Sequence, residues 1–299
     1  MTCRVRWWET DMGLFDGLEK FGLKLEKEDI FAEEAVSAED KVSALETPEI
    51  KAEHREEEFL LSRTVECPVC EKKFPVVMVK HGRLRRMEPD FDLRPRYQYV
   101  DVNKYDVTSC PNCGYASMNR YFSHITAGQI RMIREEVVSR FQPEEEQTPV
   151  SSYTYEQAVE RCKLALYNAV VKKGRASEKA YTCLKLSWVY RGWLESREAE
   201  GISDEELAAS CRKEEQLYYE QAYDGFMKAL ASESFPMCGM DENTMNLLMA
   251  NMAFRLGKTE TASKLVSQIL VSRVASAKVK DRARDLKHEI IAKIHRGDR

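Results

Sequence analysis

Two short cysteine pairs, Cys67-Pro-Val-Cys70 and Cys110-Pro-Asn-Cys113-Gly114, hold the clearest chemistry in this chain. In each pair two residues separate the thiols and proline follows the first, so a tight backbone knuckle aims both sulfurs at one point. Two knuckles complete a tetrahedral set of four thiolates, the coordination that structural zinc prefers. Cys67, Cys70, Cys110 and Cys113 are therefore read as ligands of one metal ion. Zinc is the expected ion and iron in a rubredoxin-like site is the alternative, because thiolate geometry alone does not separate the two. Four thiolates close the coordination sphere and leave the ion a poor Lewis acid. A catalytic zinc keeps one position open for water, so this site reads as structural.

Gly114 suits a turn with positive φ after the second knuckle, and Phe74 is placed to pack beneath the metal. His81 and His124 flank the module and are read as surface or packing residues rather than as substitute ligands. Cys3, Cys162, Cys183, Cys211 and Cys238 lack ligand spacing, and Cys162 and Cys183 read as small buried hydrophobes on helix faces.

A second set of residues offers binding chemistry. Arg83, Arg85, Arg86, Arg94 and Arg96, with Lys72, Lys73 and Lys80, lie between the cysteine pairs, and Phe91, Tyr97 and Tyr99 are interleaved with them. Cations next to aromatic rings can hold phosphates and stack on bases. Glu88, Asp90 and Asp92 dilute that field, so a mixed solvated surface competes with nucleic-acid contact. The chain contains no G-x-G-x-x-G, no G-x₄-G-K-[ST], no G-x-S-x-G and no H-E-x-x-H, and none of its five histidines is obviously paired with a nucleophile. No catalytic residue is assigned, and enzyme activity is neither indicated nor excluded.

The elements that position these residues change along the chain. Val76 to Val79 and Tyr97 to Val102 read as β segments, punctuated by Pro and Gly. From Ala127 a helical period takes over, and residues 143–152, rich in Pro, Ser and charge, read as a linker. Thr154 is an expected N-cap, with Gln157 in capping-box position. The later helices repeat a spacing of Ala, a larger residue four on, and a small or aliphatic residue three further. It appears as Ala158/Cys162/Ala165, as Ala222/Phe226/Ala229 and as Ala262/Val266/Ile269. Tetratricopeptide repeats place this pattern on the second helix of a pair. Gly257 falls where the turn between paired helices belongs, and helices are expected from about Ala176 to Glu198, from near Ser203, and from Asn246 to Leu256. No strict 34-residue period survives. Arrays of this kind present grooves to peptides or helices, which makes Asn251 and Arg255 candidate partner-binding residues.

The expected fold class is thus α+β, a small β-rich zinc-ribbon-like module followed by an all-α, tetratricopeptide-like domain. The division is an extension and amphipathic arm (1–23), an acidic linker (24–59), the metal module with a trailing helix (60–142) and the helical domain (150–299). The arm places Leu14, Leu18, Phe21 and Leu25 on one helical face and is expected to dock on its own protein or on a second copy. A membrane-surface role is weaker, because Asp16 and Glu19 cancel Lys20 and Lys24.

Composition bounds the remaining classes. The 299 residues carry 46 Lys+Arg against 50 Asp+Glu, a net charge of −4, which rules out a globally basic nucleic-acid binder while leaving room for a local patch. Residues 24–58 alone hold thirteen acids and five bases, so the remainder is mildly basic. No apolar run approaches the about 18 residues that span a bilayer, and the N-terminus lacks the apolar core of a secretory signal. Reduced cysteines and a cytoplasmic setting are expected.

Several stretches together resemble a bacterial family catalogued as domain of unknown function 2225. They are MGLFDGLEKFGL from Met12, CPVCEKKF, YDVTSCPNCGYA, ASEKAYTCLKLSWVYRG, and GMDENTMNLLMANMAFRLG from Gly239. The resemblance implies a four-cysteine metal module joined to tetratricopeptide-like helices in a bacterial cytoplasm, with the same four cysteines as ligands. It implies no activity. Residues 1–11 precede the point where such chains usually begin. The leading functional reading is a zinc-binding, non-enzymatic interaction scaffold that takes a protein or peptide on its helices. The alternatives are a nucleic-acid binder using the arginines of the metal module, and an enzyme with its site between the two domains.

Overall fold

A computed structural model describes residues 18–22, 55–143, 150–202 and 204–297. Two antiparallel hairpins come first. β1 (Leu60–Glu66) pairs with β2 (Lys73–Val79) from Leu60↔Val79 to Glu66↔Lys73. β3 (Val107–Ser109) pairs with β4 (Ala116–Met118) from Val107↔Met118 to Ser109↔Ala116. α1 (Ala127–Ile133) follows and runs on into a π turn at Arg134–Val138. The helical region is α2 (Tyr155–Val171), α3 (Ala176–Ala199), α4 (Glu205–Ser232), α5 (Glu242–Arg255), α6 (Thr259–Val271) and α7 (Ala277–Gly297). The α+β class holds, a β-hairpin module carrying a cysteine cluster and then an all-helical region.

Local chemistry sets the helix ends. Thr154 accepts from the Gln157 amide while the Gln157 side chain takes the Thr154 N–H, the expected capping box, and Thr126 with Gln129 starts α1 in the same way. Gly257, at φ +74°, closes α5 and lets the chain reverse into α6. All nine residues of the repeated small-residue spacing are buried.

Beta structure at Tyr97–Val102 is a correction. Only Arg86 and Tyr97 form a bridge there. Tyr99 turns left-handed, and Asp101 caps a 3-10 turn at Val102–Tyr105 by accepting from the Asn103 N–H. The aromatic residues pack instead of pairing: Tyr97 and Tyr99 join Phe59, Leu60, Val77, Val100, Tyr105 and Tyr153 in a small second core. Because side chains alternate along a strand, Val77 faces this core while Phe74 and Val76 face the main one.

The main core runs without a break from the cysteine hairpins through the helices to Ile290. Residues 144–149 of the expected linker lie outside the described set. Beyond them Tyr153 returns to the module, where its hydroxyl accepts from the Val77 N–H at 3.3 Å. The last residues of the expected acidic linker also belong to the folded part, since Glu56–Phe59 form a 3-10 turn and Phe59 is buried. In the arm, Leu14 and Leu25 lie outside the described residues. Leu18 is fully buried, a 3-10 turn spans Glu19–Phe21, and Phe21 stacks on Phe141 with ring centroids 5.5 Å apart. That part of the arm therefore docks on its own chain.

Candidate metal centre

The two knuckles are the tips of the two hairpins, and their backbones superpose in pattern. Cys67 N–H donates to Lys72 O at 3.0 Å and Cys110 N–H to Tyr115 O at 2.8 Å. Glu71 N–H returns to Cys67 O at 2.9 Å and Gly114 N–H to Cys110 O at 3.0 Å. The residue after each second cysteine is left-handed, Glu71 at φ 63° and Gly114 at φ 73°. A strand thus delivers each pair, and a tight turn points both thiols toward the other hairpin.

The four sulfurs converge. All lie within 4.8 Å of one another, and Cys67, Cys110 and Cys113 are buried with Cys70 at the edge. Two separations that cross between the hairpins are 3.6 Å, from Cys67 Sγ to Cys113 Sγ, and 3.7 Å, from Cys70 Sγ to Cys110 Sγ. These distances are far beyond the about 2.05 Å of a disulfide bond. The arrangement can hold a metal ion.

Thiols this crowded share protons unevenly. Hydrogen bonds from Cys113 and Cys67 lower the Cys110 thiol, while the contact with Cys110, together with burial, raises Cys67 and Cys113. A metal ion takes its cysteine ligands as thiolates, so a bound cation would favour their deprotonation. The Val69 N–H, 3.4 Å from Cys67 Sγ, and the Asn112 amide, 3.9 Å from Cys110 Sγ, also direct donors at sulfur. Phe74, Tyr115 and Phe122 are buried in the same core, with Phe122 close to both other rings.

Neighbouring elements fix each knuckle, through residues that sequence spacing did not single out. Arg134, on the π turn, donates from Nε and Nη2 to Val69 O at 3.1 and 2.7 Å. Asn168, on α2, donates to Gly114 O at 3.0 Å while also meeting Leu164 O at 2.9 Å. The Phe141 ring lies against Gly114 so closely that a Cβ there would meet it at 2.4 Å. A polar Asn168 in the apolar run of α2 is the one advance signal for these contacts. His81 and His124 are exposed, outside the cluster.

The five arginines do not form one patch. Arg94 is buried, its Nε 2.6 Å from Asp90 and its Nη2 2.5 Å from Glu195, and Arg96 reaches the same two acids at 3.2 Å. Arg191 extends this network to Asp92 and Glu215, both at 2.9 Å. Burial alone would raise the Asp92 carboxyl, but Arg191, with Arg255 and Arg94 behind it, brings it down to about 2. Arg83, Arg85 and Arg86 are exposed.

Asn251 and Arg255 do not stand in an open groove. Asn251 is buried and spends its amide on Leu247 O at 2.8 Å, one turn back on its own helix. Arg255 forms a two-pronged pair with Glu215 at 2.7 and 2.6 Å and lies over the Tyr219 ring. The module's Asp92 reaches the same network through Arg191, so this face of the helices meets the module. Where the module and helices meet, the titratable groups of this network are paired with opposite charges.

Of the bystander cysteines, Cys3 lies outside the described residues. Burial pushes the Cys162 thiol up to about 12 and those of Cys211 and Cys238 up to about 11, and it raises Cys183 too. High thiol pKa values mean little thiolate and low reactivity.

Among the described residues, no helix is long and apolar enough to cross a membrane. No curated protein and no solved structure gives a significant match to the chain. A family model does match, over residues 60–290, a span that takes in both hairpins and all but the end of the helical region. On that match the chain belongs to the family described as "Uncharacterized protein conserved in bacteria (DUF2225)".

Proposed function

We propose that this protein is a zinc-bound interaction scaffold of the bacterial cytoplasm. In this reading the cysteine module is a structural clamp and the helices receive a protein or peptide partner. The convergence of four cysteines from two equivalent hairpin tips carries the metal half. Four sulfurs placed about 2.3 Å from a tetrahedral ion stand about 3.8 Å apart, close to the 3.6 and 3.7 Å separations across the hairpins. Closed thiolate coordination, a buried setting and hydrogen bonds that fix the knuckle backbones favour a structural ion. Zinc is preferred over iron because four thiolates suit it without any redox role. A reducing compartment agrees with buried bystander thiols that stand unpaired.

The scaffold half rests on the helices. α3 with α4 and α5 with α6 form successive antiparallel pairs, each with the repeated small-residue spacing on its second helix. α7 buries Ala283, Leu286 and Ile290 and turns a charged face to solvent, as the end helix of a tetratricopeptide-like array does. With Asn251 and Arg255 engaged internally, the partner surface in this reading lies at the α6–α7 end. Val271 and Val274 are 80% and 85% exposed there, and Ile291 and Ile294 are exposed on α7.

Cross-linked capture from the native cell tests the scaffold, with the intact chain compared against Val271→Asp/Val274→Asp and Ile291→Glu/Ile294→Glu. A partner held by the wild type and lost from a correctly folded variant is the expected result. Capture of nothing above background, or a partner equally retained by every folded variant, would overturn this assignment of the surface.

A further inference from the structure

A second site lies on the other face of the first hairpin. Glu58, Phe59, Arg83, Arg85 and Tyr99 line a cleft of about 260 Å³, on the side of β1–β2 that carries Leu60 and Val77, opposite Phe74 and Val76. We propose that this cleft binds one nucleotide unit, with its phosphate on Arg83 and Arg85 and its base against Tyr99.

The arginines supply the first argument. Arg94 and Arg96 each pair with two carboxylates, whereas among the described residues the side chains of Arg83 and Arg85 form no ion pair. Both line the same cleft, and guanidinium groups match phosphate oxygens with planar, two-pronged donors. Lys80 adds positive charge close by, its ammonium donating to Glu58 O at 3.1 Å. Glu58, which also lines the cleft, subtracts one charge, and its carboxylate accepts from the Arg55 N–H at 3.5 Å.

The aromatic pair supplies the second. Phe59 is buried and stacks on half-buried Tyr99, with centroids 5.7 Å apart and planes 22° from parallel. A rigid ring with a second ring behind it is a stacking platform that any base can use. Tyr99 also sits at φ 69°, a region that a bulky side chain enters only when its surroundings hold it there, and such residues concentrate at ligand sites. The surroundings are visible: Val100 is buried beside it, and Gln98 N–H donates to Arg85 O at 3.0 Å. That bond ties the backbone carrying the cation to the backbone carrying the ring. The volume falls below the about 300–1,000 Å³ of sites that enclose a whole small molecule, which suits one unit lying in an open cleft.

A free nucleotide and single-stranded RNA share this chemistry, and two probes separate them. Fluorescence anisotropy with a labelled ten-residue RNA of mixed sequence, competed with adenosine monophosphate, is to be measured on the full metal-loaded chain at about 50 mM salt. Saturable binding is expected, weakened at least tenfold by Arg83→Ala/Arg85→Ala, at least fivefold by Tyr99→Leu, and less than twofold by Arg86→Ala outside the cleft. Tyr99→Phe keeps the ring and should bind as wild type does, which separates stacking on the ring from a contact of its hydroxyl. Binding by RNA whose log affinity falls with log salt at a slope of about −0.7, the value for one phosphate on a single strand, identifies a strand. Direct competition by the mononucleotide identifies the free ligand. Absence of saturable binding by either probe, or an equal loss from Arg86→Ala, would overturn the proposal.

Discussion

The two cysteine hairpins share one backbone pattern and differ in what surrounds it. The first is long: seven-residue strands, with Glu71 exposed at the left-handed position and an exposed-side anchor from Arg134 to Val69 O. The second is short: three-residue strands, packed on α2 and anchored from the buried Asn168 to Gly114 O. Glycine occupies the left-handed position only in the second, where Phe141 closes over it and Phe21 of the arm stacks behind. The lesson is that the knuckle itself needs a positive φ, while the demand for glycine comes from burial. The first hairpin also leads into a long loop held by charge, through Asp92 and Arg191, whereas the second leads by a short path to the helices.

The largest expected effect treats the hairpins as equals. Removing the metal with a strong chelator should destabilise the whole protein, because both tips lie in one continuous core. Structural zinc contributes an apparent 10–16 kcal/mol in small peptides, and a loss of at least about 5 kcal/mol is expected here, a fall in Tm of about 10–20 °C by differential scanning calorimetry. Unchanged melting after complete metal removal would break the clamp account.

Next, Gly114→Ala should cost about 3 kcal/mol or more in denaturant unfolding, since its Cβ meets an aromatic ring and its φ is left-handed. Losses of similar size for Gly114→Ala and Glu71→Ala would show that burial does not separate the hairpins.

The charged loop gives a pH signature. Asp92 is held down to about 2 against an ordinary 3.8, so its contribution is full above the ordinary value and is lost as pH falls through the lower one. The stability gap between wild type and Asp92→Asn, both metal-loaded, should be about 2 kcal/mol near pH 6 and close steadily between pH 4 and 2. A gap that does not change with pH would remove the ion network from the account of the first hairpin's loop.

The anchors come after this. Asn168→Ala should cost about 1–3 kcal/mol, because it leaves a buried carbonyl without its donor, and Arg134→Ala only about 0.5–1 kcal/mol at its half-exposed position. Chemical denaturation of both variants ranks them, and a reversed order would contradict the burial difference. The smallest change is Glu71→Gly, expected to stabilise by up to about 1 kcal/mol, since glycine enters the left-handed region without the steric penalty.

Much of this structure was legible from sequence where the cause is local. Spacing alone put Cys67, Cys70, Cys110 and Cys113 together, and capping residues fixed the start of α2 at Thr154. The small-residue spacing found core positions in α2, α4 and α6, and Gly257 marked a true turn. Long-range contacts hid the rest. Tyr97 to Val102 has the composition of a strand, yet Tyr99 and Val100 bury themselves over β1–β2, and Asp101 finds a nearer partner in Asn103. Arg94, Arg96 and Arg255 read as free cations until the carboxylates of α3 and α4 come within reach. Such pairings join residues tens to a hundred positions apart, and no local period records them.

Metal content measured by elemental analysis on protein purified from its native cell, beside the Cys110→Ser/Cys113→Ser variant, tests the central claim most directly. The expected result is one zinc per chain in the wild type, a colourless solution without the visible absorption of iron thiolates, and loss of the metal in the variant. A wild-type chain that is fully folded and metal-free would contradict it.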